Sequence, residues 1–347
     1  STLKRAKDPL RTAGGMIMAE MAGSATRESR LDRAAGCLAG HFCGDAFGAQ
    51  FEFKARYSII QAVGPGYRIM GDSYAWPIAR GQITDDSEMA VALADSIIET
   101  GRYDSGAALK HYRKWFDSKP FDIGMTTFRA LGGYSTPSVT SQTNGALMRI
   151  SPLAVYHAGQ IKEGEEPDLT ALLADAALDA GLTHPNSTCT ASNIVFVQAL
   201  ALAILGHEKD EIYGSICATA ETLGDDVLTG SLLEAKDGRE PEDMPGKSGW
   251  VILSLKNAVY RLMHCETPEQ AICETAYMGG DTDTNCAVAG ALAGAYFGYD
   301  MIPKDWVRTV QECDTSKGNF PRTYQDSIRE IRELAVKLYT LGDVGQH

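Results

Sequence analysis

Gly279-Gly280-Asp281-Thr282-Asp283-Thr284-Asn285 runs almost directly into the apolar stretch 287–299. The two glycines allow a sharp backbone turn, and two carboxylates follow at i and i+2. Far upstream, Thr84-Asp85-Asp86-Ser87-Glu88 repeats the design, with Met89, Leu93, Ser96 and Ile97 marking one face of the helix after it. One Asp or Ser at such a place is an ordinary N-cap, and an acid in the first turn favours the helix dipole. Capping uses one or two side chains, whereas Asp85, Asp86 and Glu88 crowd into a single turn. Like charges at that density call for a cation or shared protons. If the fold brings the two clusters together, four Asp and two Thr oxygens converge into a hard-oxygen site for one or two divalent ions. Magnesium or manganese suits that donor set, and neither cluster contains a His or Cys that would favour zinc.

Outward from these clusters the pattern is helical. Leu31, Ala34, Ala35, Leu38 and Ala39 repeat at helical spacing and lead into Gly44-Asp45-Ala46-Phe47-Gly48. Further helices are expected over 105–117, 146–157, 169–181, 187–206, 209–222, 247–264, 268–277, 284–297 and 322–341. Strand-like alternation is nearly absent. Residues 57–83 and 120–145 read as loops rich in turn formers. The acidic segment 225–246 reads as a surface turn. No linker divides 31–347, so one large all-α domain is expected there. Residues 1–30 differ: they carry Lys4, Arg5, Lys7, Arg11, Arg27 and Arg30 around Met16, Met18 and Met21, and read as an N-terminal arm.

The bulk numbers set limits. The net charge of −13 argues against broad binding to nucleic acid or to an anionic membrane. Eight scattered cysteines with no Cys-x-x-Cys pair suggest free thiols in a reducing compartment. No signal peptide is visible, and the longest apolar runs fall short of roughly 20 residues. A soluble, cytoplasmic protein is expected.

Five short motifs in order resemble the ADP-ribosylglycohydrolases, a family that includes ADP-ribosylarginine hydrolases. They are Gly44-Asp45-Ala46-x-Gly48 with Glu52 downstream, Thr84-Asp85-Asp86, Asn144-Gly145-Ala146-Leu147-Met148-Arg149, Thr183-His184, and Gly280-Asp281-Thr282-Asp283-Thr284. The resemblance implies a single orthogonal helical bundle with two Mg²⁺ (or Mn²⁺) ions, acting on an ADP-ribosylated protein. It implies that Thr84, Asp85, Asp86, Asp281, Asp283 and Thr284 bind the metals and that Glu52 handles the attacking water, with Asp86 also in the catalytic set. It implies that backbone N–H groups of Asn144, Gly145 and Ala146 face the diphosphate, and that His184 contacts the ribose or phosphate region. Asp122 resembles a substrate-facing acid of arginine-directed members, where it would hold a guanidinium; a helix cap is the plainer alternative. Asp45 and Gly48 as turn residues, Arg149 as an ion-pair partner and His184 as a cap are plainer readings too. Some members look like immunity proteins, so the arm could also block an ADP-ribosyltransferase toxin. A non-catalytic ADP-ribose-binding member is the further alternative.

Overall fold

Gly36, Gly40, Gly44 and Gly48 recur every fourth residue, which places them on one face of a helix. In the computed structural model, which describes residues 25–242 and 247–341, they lie on helix α1 (Arg27–Gly48). Their face meets the helix Thr282–Phe297 backbone to backbone. A Cβ on Gly40 would stand 2.0 Å from the Gly290 carbonyl oxygen, and one on Gly36 2.3 Å from that of Gly294. A Cβ on Gly44 or Gly48 would stand 2.2 Å from the carbonyl oxygen of Cys286 or Thr282. Only glycine permits so close an approach along the whole seam.

After α1 come α2 (Arg56–Val63), α3 (Asp85–Thr100), α4 (Ser105–Asp117) and α5 (Met125–Leu131). A 3₁₀ turn, Asn144–Arg149, leads into α6 (Ser151–Ala158), α7 (Thr170–Gly181), α8 (Ser187–Leu205) and α9 (Lys209–Leu223). Then follow α10 (Asp226–Lys236), α11 (Val251–His264), α12 (Pro268–Ala276), α13 (Thr282–Phe297), α14 (Lys304–Gln311) and α15 (Ile331–Thr340). No strand occurs among the described residues, so the all-α expectation holds. Helix α8 is apolar on every side because α6, α7, α9 and α13 all pack on it. It is long and apolar enough to cross a membrane, but 94% of its apolar window is buried inside the bundle.

Several boundaries differ from expectation, each for a local reason. The segment 225–246 is not merely a turn. Asp225 caps α10 by accepting from Leu228 N (3.0 Å), and Leu228, Leu232 and Ala235 form its buried stripe. Thr229, Gly230 and Ser231 hide that stripe from a propensity reading. The expected loops contain α2 and α5, both short. The helix expected over 146–157 is a 3₁₀ turn and then α6, restarted with Pro152 in its first turn. The helix expected over 322–341 divides into the 3₁₀ turn Thr323–Ile328 and α15. At the other end, the Thr26 hydroxyl accepts from Ser29 N (3.3 Å) and starts α1 at Arg27. Arg27 and Arg30, read as arm residues, therefore belong to its first turn, and Arg30 donates to the Ile161 carbonyl (2.9 Å). Residues 1–24, with the basic and Met-bearing part of the arm, lie outside the described residues.

The seam can be tested by adding a methyl. Gly40→Ala is expected to cost at least about 2 kcal/mol, because neither backbone can give way. Gly214→Ala, on the open face of α9 with nothing near its Cβ, is expected to be neutral or stabilising by up to about 1 kcal/mol. Urea unfolding midpoints at equal slope measure both.

Candidate metal centre

Asp45 lies one turn from the end of α1 and is fully buried. Its carboxylate accepts from Thr84 N (3.0 Å) and Ser87 N (3.1 Å), so it caps α3 from another helix. Thr84 itself makes no side-chain cap bond, and neither does Asp281 at the start of α13. The plain capping explanation thus fails for both clusters. The acids at these helix starts are free for another task.

The two starts converge. One oxygen each from Glu52, Asp281 and Asp283 lie within 4.8 Å of one another. Asp86 lies within electrostatic reach of Asp45 and Asp281, and Asp85 within that of Asp122, Asp86, Asp45 and Glu52. The Thr84 hydroxyl sits 2.8 Å from Asp45 Oδ1 and 3.0 Å from Asp86 Oδ2, and its single proton can serve only one of them at a time. Thr284 lies beside Asp86, and Thr284 N donates to Asp283 Oδ1 (2.9 Å). Glu88, the remaining acid of the first cluster, turns away. Trp115 Nε1 donates to it at 2.7 Å, and Arg322 binds it through Nε (2.8 Å) and a second nitrogen (2.6 Å).

Among the described ion pairs, none reaches Glu52, Asp85, Asp86, Asp281 or Asp283. Burial first, and neighbouring carboxylates second, hold Asp85, Asp86 and Asp283 well above the usual carboxylate range. Burial and then the Asp122 charge push Glu52 up to about 8. Burial and then the Asp281 charge push half-buried Asp122 up to about 7. Asp86 Oδ1 is buried with no hydrogen-bond partner. Such an orphaned oxygen among uncompensated carboxylates and two threonine hydroxyls fits a hard divalent cation.

The substrate-facing expectations are placed as follows. Asn144 Nδ2 donates to Asp281 Oδ2 (2.7 Å) and to Ser254 Oγ (3.0 Å), so its side chain holds the acid cluster. Its backbone N–H is occupied by the Gly249 carbonyl (2.9 Å), which leaves Gly145 and Ala146 in the first turn of the 3₁₀ segment. His184 is fully buried beneath that turn. A Cβ on Gly145 would stand 2.9 Å from its ring. Its nitrogens meet Thr183 Oγ1 (2.8 Å) and Thr143 Oγ1 (3.1 Å). Burial, and then the Arg149 charge, lower it to about 3, so the ring stays neutral. Arg149 is an internal partner. Its Nε donates to Asp179 (3.1 Å), its guanidinium lies over the Tyr112 ring, and a second nitrogen donates to Thr183 Oγ1 (2.8 Å). Sequence reasoning did not single out Trp76, whose indole donates to Glu52 Oε2. It lies in a stretch without periodicity, so no pattern marked it.

The model of the ADP-ribosylglycohydrolase family matches residues 26–346, and the chain belongs to that family. It is 29% identical over 290 residues to the ADP-ribosyl-[dinitrogen reductase] glycohydrolase of Rhodospirillum rubrum, covering 81% of this chain and 91% of that one. It is 27% identical over 302 residues to an ADP-ribosylarginine hydrolase of Pseudomonas putida, covering 82% and 76%. A solved structure titled ADP-ribosylglycohydrolase-related protein complex superposes with a TM-score of 0.68 at 26% identity, over 91% of this chain and 99% of that one. Family and relatives together support ADP-ribosyl hydrolase activity.

The raised carboxylates give the cation-free protein a distinct pH response. An acid whose pKa is raised by folding binds its proton more tightly in the native state. Its contribution is complete below its ordinary value and is lost as pH climbs through the folded one. For Glu52 that window runs from 4.5 to about 8. The melting temperature in chelator is expected to fall from about pH 5 to about pH 8, and millimolar Mn²⁺ to flatten or reverse that slope. A thermal-shift series with and without Mn²⁺ reads both.

Proposed function

We propose that this chain hydrolyses the N-glycosidic bond between ADP-ribose and an arginine side chain of a modified protein. The observation that carries it is the convergence of uncompensated carboxylates from two helix starts, with the half-buried carboxyl of Asp122 beside them. The arginine-directed relative supports the choice of linkage.

Thr84, Asp85, Asp86, Asp281, Asp283 and Thr284 would hold two Mg²⁺ or Mn²⁺ ions. Bound there, divalent ions supply Lewis acidity towards a water and towards ribose hydroxyls. The protein's own groups do the rest. Glu52 is buried next to Asp281 and Asp283 and serves as the base that takes the water's proton. Asp122 pairs with the guanidinium, the geometry in which a carboxylate binds arginine best. Its carboxyl, pushed up to about 7, can also carry a proton to the departing nitrogen. Cleavage builds positive charge at the ribose carbon, which the surrounding carboxylates stabilise. Gly145 and Ala146 offer first-turn N–H groups to the diphosphate, on a turn that His184 and Arg149 support from below.

Arginine-linked and serine-linked ADP-ribosylated substrates, assayed side by side with and without chelator, test this reading. Release from the arginine-linked substrate, lost in chelator and restored by Mg²⁺ or Mn²⁺, is expected. Glu52→Gln is expected to lower kcat by about 10²–10⁴-fold. Asp122→Asn is expected to raise KM for the arginine-linked substrate while the fold persists. Activity indifferent to chelation, or confined to serine linkage, contradicts the reading.

A further inference from the structure

Glu52 and Asp122 come from separate loops, and one aromatic residue touches both regions. Trp76 donates its indole N–H to Glu52 Oε2 and sets its ring edge against Phe121, with centroids 5.8 Å apart and planes at 68°. Phe121, the residue before Asp122, stacks on Phe320 at 4.9 Å and 19°. The loop that carries Trp76 is anchored at both ends of this contact. Ser73 Oγ accepts from Trp76 N (2.9 Å) and from Ala75 N (3.1 Å), and donates to the Ala49 carbonyl just after α1 (2.9 Å). On the far side, Gln82 Nε2 donates to the Phe320 carbonyl (2.7 Å).

We infer that Trp76 is a positioning residue: its indole N–H holds the Glu52 carboxylate against Asp281 and Asp283, and the Trp76–Phe121–Phe320 stack sets the separation between Glu52 and Asp122. The inference rests on the proposed hydrolytic reading for its catalytic consequence, but not for the contact itself. An indole is a donor only and does not titrate in this range, so Trp76 exchanges no proton with substrate. What it controls is direction. Glu52 sits among like charges, and without a fixed donor its carboxylate would rotate away from them. The aromatic edge-to-face and stacked contacts favour a definite geometry, so moving Phe121 would move Trp76 with it.

The test is a double-mutant cycle between Trp76→Phe and Glu52→Gln, read two ways. Trp76→Phe keeps a ring against Phe121 and removes only the donor. Its kcat on the small compound ADP-ribosyl-arginine is expected to fall on the order of ten- to a hundredfold, as for a lost hydrogen bond to a charged group, with KM little changed. Isothermal calorimetry with Mn²⁺ alone is expected to show weaker binding for Trp76→Phe. In the Glu52→Gln background the same change is expected to do little more in either readout, because both act through one carboxylate. Trp76→His, which keeps a ring N–H, is expected to recover part of the loss. Equal effects of Trp76→Phe in both backgrounds, or none in the wild type, overturn the inference. A wild-type protein that shows the Mn²⁺ coupling but does not cleave ADP-ribosyl-arginine leaves the positioning contact standing and removes the arginine reading instead.

Discussion

The contact on which the rest depends is the seam between α1 and α13, where carbonyl oxygens of one helix fill the space that side chains would need on the other. Gly36, Gly40, Gly44 and Gly48 each weaken an isolated helix by roughly 0.5–1 kcal/mol relative to alanine. Close backbone packing along the seam offsets that cost. Its functional consequence is position. Gly48 seats against Thr282, whose hydroxyl donates to the Gly48 carbonyl (2.7 Å). The start of α13, with Asp281 and Asp283, is thereby set at the end of α1. Asp45 on the same helix caps α3 and sets Asp85 and Asp86 facing it. The chain leaving α1 then delivers Glu52, locked in place where Phe53 N donates to the Gly280 carbonyl (2.7 Å) and Gly280 N to that of Lys54 (3.0 Å). One helix thus orients three of the acidic segments.

The site and the core work against each other. Buried carboxylates without cationic partners destabilise the folded state unless they hold protons or metal. Elsewhere the protein does pair its buried charges. Arg149 and Asp179 are both fully buried and bonded at 3.1 Å, with the Tyr112 hydroxyl donating to the same carboxylate (2.7 Å). Glu88 shows the contrast within a single turn. It is paired with Arg322 and Trp115, while Asp85 and Asp86 in the same turn are left uncompensated. That asymmetry separates a structural acid from the acids of a site.

Much of this was legible in the sequence because crowding of like charges shows in spacing alone. The two clusters, the helical body and the special character of 144–149 were all visible. What could not be read were the contacts made across the fold. Asp45 reads as part of a motif, with a plain turn residue as the alternative, and nothing in Gly44-Asp45-Ala46 reveals that its partner is the backbone of Thr84 and Ser87. Trp76 sat in a stretch without period. His184 is expected to contact the ribose or phosphate region, and no spacing reveals that it lies buried beneath Gly145, which depends on the path of the 3₁₀ turn above it. Helix α10 was hidden by Thr229, Gly230 and Ser231, and only packing of Leu228 and Leu232 makes it a helix.

Anomalous diffraction from crystals grown with Mn²⁺ addresses the central claim most directly. Manganese peaks bridging Asp85 and Asp86 to Asp281 and Asp283, within direct coordination distance of their oxygens, are the expected result. Crystals saturated with Mn²⁺ that show no anomalous density among those carboxylates would contradict the account.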